Sequence, residues 1–507
     1  MAVCQDFSCR KSPPAHLHLT YYDTFDWRLN AANLRLYRQQ HEQDSQLVLE
    51  SLKGDVPPSF TSLSTVPKFA WELPASAIRQ YIEPIIEMRA LLPVAEIKSR
   101  EDTLRITNKE QKTVATLTLQ QDDIVLTSNH RQALPPRLVL HAVKGYENSY
   151  QKTRKKLEQD IDLTVLEFDQ LLAALQQQGI AVNDYSSKLK IQLEPQARAD
   201  LASKSILKRL YQTMLANEAG LKTNIDSEFL HDYRVAIRRT RSILTQLKGV
   251  FADTSAEHFK QEFAWLGEIT GPLRDLDVHL LQFDSYADNL PAAHRAALLP
   301  LKEYLFQVRE QRHQGLLQDL ASKRYTTIQA EWPAFLDKET ISGELPENAA
   351  APIQELAKRN IWRSYRKVMK QAGALSMSSP AAAFHELRKS CKKLRYLMEI
   401  FQSLYTGNEI KQLIKHLKIL QDNLGEYQDL DVQSLAIKQF AREMEGHGIG
   451  RSDTYMAMGI LVGALQQKKL AVHQEFIACY TQFARHGVQQ GFAHLFKPVN
   501  KQLELSQ

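Results

Sequence analysis

The side chains with the plainest chemistry in this chain are cations set at helical spacing. In HDYRVAIRRTRSIL (231–244), His231, Arg234, Arg238 and Arg241 recur every three or four positions. In HELRKSCKKLRYLM (385–398), His385, Arg388, Lys392 and Arg395 do the same. At about 100° per residue, each set falls in one narrow sector of a helix. The opposite sector is apolar: Tyr233, Ile237, Leu244 and Leu247 in the first stretch, and Leu387, Cys391, Leu394, Met398 and Phe401 in the second. Each stretch therefore reads as a packed helix that carries a row of charge, flanked by Arg239 in one and by Lys389 and Lys393 in the other. Like charges three and four apart cost a bare helix a few tenths of a kcal/mol per pair. Either nearby acids or an anionic ligand must offset that. Guanidinium forks and ammonium groups suit phosphate, and a linear row suits a linear polyanion better than a single phosphate.

Something must hold two such rows in place, and the chain carries an internal repeat that can. His231 and His385 are 154 positions apart, and LGEITGPLRDLDV (266–278) and LQDNLGEYQDLDV (420–432) are offset by the same 154. Two motifs sharing one offset point to a duplicated helical unit of roughly 150 residues, able to pack with pseudo-twofold symmetry around a shared surface. Asp275, Asp277, Asp429 and Asp431 could supply metal ligands with the two histidines. No H-x-x-x-H or H-E-x-x-H spacing supports a preformed site, so no metal is expected. These aspartates are expected to orient arginines or to cap helices.

The charge is local. Residues 356–418 hold 14 Lys/Arg against 3 Asp/Glu, a balance of +11 in a chain whose net charge is +6. A field concentrated in this way favours an anionic partner. Nucleic acid fits the charge, but the basic helices carry few aromatics for base stacking and no recognised docking motif. A phosphate chain needs charge and no base recognition. A histidine in such a groove is favoured protonated, so binding is expected to strengthen as pH falls.

The remaining properties bound the class. The 507 residues allow two to four domains, and 43% apolar with 24% charged residues is ordinary for a globular protein. Cys4, Cys9, Cys391 and Cys479 make neither a zinc pattern nor a disulfide framework, which suggests a reducing compartment. The longest apolar run, YMAMGILVGAL (455–465), is too short to span a bilayer, and the first residues lack a signal-peptide core. A cytoplasmic location is expected. Segments 31–40, 45–54, 102–108, 112–120 and 123–128 alternate like strands, and 56–69 reads as a loop. A long helical pattern covers 151–178, and from about 195 the pattern is helical, with breaks at 339–352 and 376–382. The fold class expected is α+β: a small β-rich domain (1–192), then an all-α domain (193–507) with repeats at about 195–345 and 350–500.

The repeated H-x-x-R-x-x-x-[RK]-x-x-R helices, each followed by Asp-Leu-Asp-Val, resemble the CHAD domain, the conserved-histidine α-helical domain. That resemblance covers roughly 195–500. It implies two helical bundles around a basic groove that binds inorganic polyphosphate, at polyphosphate granules. On it, His231, Arg234, Arg238, Arg241, His385, Arg388, Lys392 and Arg395 lie on the groove, and Arg239, Lys389 and Lys393 flank it. YYDTFDWRLNAANLRLYR (21–38), EIKSREDTLRI (96–106) and DYSSKLKI (184–191) are similar to the CYTH domain, a triphosphate-tunnel barrel. This second resemblance implies a metal-dependent triphosphatase using Mg²⁺ or Mn²⁺, with Arg35, Lys53, Lys98, Arg100 and Arg105 as candidate tunnel cations. The family's E-x-E-x-K strand is missing from AHLHLTYYDT (15–24), and Glu158, Asp160 and Asp162 lie in an apparent helix. Cations without metal-holding carboxylates bind phosphate but cannot activate water. The expectation is a degenerate CYTH-like domain, no catalytic residues, no cofactor, and polyphosphate binding by the helical domain. A nucleic-acid or protein scaffold is the remaining alternative.

Overall fold

The computed structural model describes residues 8–498 apart from 55–56, 128–129, 161–164, 167, 188–190 and 339–344. The chain divides into two compact units, Met1–Ser186 and Ser187–Gln507.

The first unit is an antiparallel sheet with four helices. Its strands are β1 (Ser8–Lys11), β2 (Ala15–Asp23), β3 (Leu34–His41), β4 (Asp44–Ser51), β5 (Ser59–Ser62), β6 (Leu92–Thr107), β7 (Thr113–Thr127), β8 (His130–Ala133) and β9 (Arg137–Ala142). Its helices are α1 (Arg28–Ala31), α2 (Ala77–Ile86), α3 (Glu147–Asp160) and α4 (Gln170–Gln177). The order is β5-β4-β3-β2-β6-β7-β8, with β1 on β6 and β9 on β7. Alternation sorts the side chains onto two faces. Leu19, Tyr21, Ala95, Ile97 and Ile124 form one core with Leu171, Ala174 and Leu175 of α4. On the other face Leu34, Leu36, Leu47 and Leu49 pack against Ile78, Ile82 and Ile86 of α2. Farther along that face, Ile106, Ala115 and Leu117 pack with Leu157 of α3.

Two sequence expectations change here. The stretch 56–69 was expected to be loop, but it holds β5, where Val48 pairs with Phe60 and Leu49 with Ser59. An edge strand as short as Ser-Phe-Thr-Ser takes its conformation from its neighbour, not from its own pattern. The helix expected over 151–178 is two helices: α3 ends at Asp160, and α4 starts afresh where the Asp169 side chain accepts from Leu172 N. That cap satisfies a free amide and marks a true helix start. Glu158 lies on α3 and pairs with Arg154 at 2.9 Å, whereas the Asp160 side chain and Asp162 fall outside the described residues.

The second unit is helical: α5 (Ala199–Lys222), α6 (Ser227–Gln246), α7 (Asp253–Leu281), α8 (Phe283–Asp288), α9 (Ala292–Arg295), α10 (Leu299–Leu320), α11 (Lys323–Asp337), α12 (Ile353–Gly373), α13 (Ala381–Ile400), α14 (Glu409–Gly446), α15 (Ser452–Phe483) and α16 (His486–Phe496). The repeat is visible in the helices themselves. Helices α6 and α13 are 20 residues each and start 154 positions apart, as do α5 and α12. The packing order α5–α6–α7–α10 recurs as α12–α13–α14–α15. Equivalent positions also bond to each other. Ala199 N donates to Ala351 O and Ile353 N donates to Ala197 O, both at 2.9 Å, beside a bridge between Arg198 and Pro352. Each of these pairs exchanges under a shift of 154, which defines a local twofold axis at the start of the two halves. The apolar sides of both basic helices are buried as their periodicity requires, with Tyr233, Ile237, Leu387, Cys391, Leu394, Met398 and Phe401 fully enclosed.

Candidate functional site

Helices α6 and α13 touch, and a cleft of about 490 Å³ opens where their cation rows meet α14. Arg238 comes from the first half; Arg388, Lys392 and Arg395 come from the second. Gln282, Ser285, Tyr286 and Asn289 of the first half complete one side, and Gln421, Gly425 and Leu430 of α14 line another. The site therefore needs both halves.

Its electrostatics are those of crowded cations. The Lys392 ammonium is pushed down to about 8, first by burial, then by the Arg388 and Arg238 guanidinium groups. Asp429 opposes this but does not cancel it. The Nε atoms of Arg238 and Arg388 are buried and find no acceptor among the described residues. A buried donor without a partner is costly. Arg388 Nη2 donates to Asp429 Oδ1 at 3.0 Å, and Arg395 lies 3.4 Å from Glu399.

Not every cation of the two rows reaches the cleft. Arg234 turns onto α7, where Nη1 donates to Gly267 O at 2.9 Å and to Thr270 Oγ1 at 2.7 Å. Burial, then Arg238, pushes this guanidinium down to about 10. Arg241 is exposed and also lies over α7, 3.3 Å from where a β-carbon on Gly267 would stand. Arg239 donates to Ser187 O at 2.9 Å and pairs with Glu399 at 3.5 Å. Lys389 is exposed and pairs with Glu386, and Lys393 is exposed. His385 Nδ1 sits 3.0 Å from Gln428 Oε1, and His231 is half-buried at the head of its row. Neither histidine lines the cleft.

Three aspartates of the repeated Asp-Leu-Asp-Val segments hold cations. Asp277 accepts from Arg309 Nε at 2.6 Å, Asp431 pairs with Lys469 at 2.5 Å, and Asp429 holds Arg388. Lys468, Tyr396 and Gln421 also line the cleft and were not anticipated. Gln421 lies inside the repeated segment 420–432, which was a usable signal; Lys468 on α15 has none.

In the first unit the five candidate tunnel cations are not gathered at one place. Arg35 is buried and committed to Asp169 at 2.7 Å and Asn30 at 2.8 Å. Lys53 is exposed in the turn after β4, and Arg105 is exposed opposite Arg10. Lys98 and Arg100 do share a cavity of about 730 Å³ with His16, His18 and Arg131, and with the carboxylates of Glu42 and Asp123. Where the resemblance called for E-x-E-x-K, β2 places His16, His18 and Thr20 on one face, and His18 pairs with Glu96. Among the described residues no group of three or more His, Cys, Asp or Glu side chains is placed to hold a metal ion. No described helix is long and apolar enough to cross a membrane.

Residues 205–438, within the helical unit, match the family model of the CHAD domain. An alignment 250 residues long, covering 46% of the chain, is 25% identical to an uncharacterized protein of Mycobacterium tuberculosis strain H37Rv, and a protein of strain CDC 1551 matches with the same identity and coverage. The match spans 44% of the length of these curated relatives. Among solved structures, the CHAD domain from the plant Ricinus communis aligns over 60% of this chain and 97% of its own, with a TM-score of 0.49 and 22% identity. PptA from Streptomyces chartreusis aligns over 56% of this chain and 100% of its own, with a TM-score of 0.45 and 17% identity.

Proposed function

We propose that the helical unit binds inorganic polyphosphate in the cleft between α6, α13 and α14, and that it binds without turnover. The observation that carries this reading is the convergence of Arg238, Arg388, Lys392 and Arg395 from both halves on one opening. Burial first, and then the neighbouring Arg388 and Arg238 guanidinium groups, depress the Lys392 ammonium there. The CHAD match over 205–438 supports the same ligand class. Binding to the polymer would place the protein at polyphosphate granules in the cytoplasm.

The first unit is proposed to contribute no metal-dependent triphosphatase activity. Supporting this, Arg35 is already neutralised by Asp169, and β2 carries His16, His18 and Thr20 in place of a carboxylate pair and lysine.

The test is titration of the full chain with long-chain polyphosphate across a salt series, with duplex DNA as competitor. Affinity should fall steeply with salt, by analogy with counterion release on DNA, and DNA should compete poorly. Absence of binding at low salt, or equal competition by DNA, overturns the reading. Hydrolysis of tripolyphosphate with Mg²⁺ or Mn²⁺ that vanishes with chelator would overturn the second part.

A further inference from the structure

The cleft has an acidic side that a polyanion site does not obviously need. Asp422, Glu426 and Asp429 recur at four and three positions along α14, so they share one helix face, and all three line the opening. Two of them hold cations of the same cleft: Asp429 accepts from Arg388 at 3.0 Å, and Glu426 pairs with Lys468 at 2.9 Å. In the Arg388–Asp429 pair the carboxylate is the more exposed member, whereas Lys468, at 57%, is more exposed than Glu426. The Asp429 side chain is 59% exposed and that of Glu426 46%, whereas Arg388 is 17% exposed and lies against Gly425. The first half keeps only part of the arrangement: Glu268 and Asp275 stand at the positions equivalent to Asp422 and Asp429. Position 272, equivalent to Glu426, is Pro272, and Arg234, equivalent to Arg388, bonds to Gly267 and Thr270 instead. The helical fold alone therefore does not require Glu426.

We propose that Asp429 and Glu426 are specificity-determining residues of the cleft: each holds a cation that an incoming phosphate chain must take over, so together they favour long chains over short ones. This deepens, and rests on, the reading of the cleft as a polyphosphate site. A short oligophosphate that displaces a carboxylate exchanges one ion pair for another of similar kind and gains little. A long chain meets the same fixed penalty once, while its contacts extend to Arg238 and Lys392, neither of which forms an ion pair with Asp429 or Glu426. The discrimination is thus set by the ratio of cations already held to cations newly met.

The experiment is calorimetric titration of the full chain at one ionic strength with two probes, tripolyphosphate and long-chain polyphosphate. The variants are Asp429→Asn, Glu426→Gln and the double variant, with the exposed Glu303→Gln on α10 as a control for net charge. An exposed ion pair accounts for roughly a twofold to fivefold change. Tripolyphosphate affinity should rise by about that factor per variant, long-chain affinity should rise less, and Glu303→Gln should alter neither. A loss of affinity for both probes would make the carboxylates positioning groups for Arg388 and Lys468. No change, or an equal rise for both probes, would remove their role in chain-length choice. In each of those results the wild type still binds long chains, so only the competitor role falls. If the wild type binds neither probe at low salt, the polyphosphate reading itself falls, and this role with it.

Discussion

Arg388 lies across the backbone of Gly425, with Nε 4.0 Å from the point where a β-carbon would stand. Arg234 lies across Gly271 in the same way, its Nη1 3.6 Å from the corresponding point. The two arginines are 154 positions apart, and so are the two glycines. Glycine costs a helix interior up to about 1 kcal/mol relative to alanine, yet a β-carbon at either position would meet the guanidinium only at ordinary contact distance.

That relationship separates two substitutions at one site. Gly425→Ala places a methyl at ordinary contact distance and should leave binding within about twofold while raising helix stability by up to ~1 kcal/mol. Gly425→Leu should push Arg388 off the helix and lower polyphosphate affinity about as much as removing the arginine. Titration calorimetry and thermal melts of both variants read the difference.

The equivalent arginines should have unequal roles. Arg388→Ala and Arg238→Ala remove groups that line the cleft, and a charge-assisted contact is worth about 1.5–3 kcal/mol when desolvated, or roughly tenfold or more in affinity. Arg234→Ala removes two hydrogen bonds to α7 and leaves Gly267 O and Thr270 Oγ1 short of a donor. It should lower the melting temperature and affect binding less. An Arg234→Ala variant of native stability but abolished affinity would place that arginine on the ligand.

Binding should depend on pH through Lys392. Its folded-state pKa, lowered by burial, Arg388 and Arg238 to about 8, lies below the ordinary 10.5. The charged form that an anion prefers is lost as pH rises through 8, so affinity should fall between pH 7 and pH 9 at constant ionic strength. Stability moves the other way. Between about 8 and 10.5 the unfolded chain still holds a proton the folded chain has released, so unliganded stability rises with pH there. Lys392→Arg should flatten both profiles, because arginine stays charged.

A third glycine tests packing against propensity. A β-carbon on Gly220 in α5 would come within 2.3 Å of the Phe229 ring, and that ring is almost fully enclosed. Propensity alone would make Gly220→Ala stabilising by up to ~1 kcal/mol. Overpacking costs typically about 1–3 kcal/mol, so the variant should melt lower than wild type. Denaturant unfolding decides the sign.

The parts of this molecule that were legible in the sequence are the parts set by local periodicity. The offset of 154 located α6 against α13, and the apolar sectors of both helices are the buried ones. A helical wheel tells which side a residue occupies but not what covers that side. Arg234 and Arg241 share a sector with Arg238, yet α7 lies under the first two, and only Arg238 opens onto the cleft. Lys468 joins the site from 230 positions beyond Arg238, with no local pattern to announce it. Arg35 shows the same limit in the first unit: its alternation on β3 suited a tunnel, but its charge is taken by Asp169, 134 positions away. Pairing across such distances is a product of tertiary packing, and no window of sequence contains it.

Because the cleft takes Arg238 and Gln282 from one half and Arg388 and Lys392 from the other, a bound anion is also a strut between them. It contacts a surface that exists only when both halves are folded and joined, so its binding free energy adds to the folding free energy of the pair. By mass action that addition is about 2.7 kcal/mol at a hundredfold excess over the dissociation constant. Without the anion, the crowding of Arg238, Arg388 and Lys392 at that contact is relieved only in part, by Asp429 and by the Arg239–Glu399 pair. On the proposed reading, the coherence of the helical unit would depend on a reagent outside the chain, and thermal stability would report how much of that reagent is free.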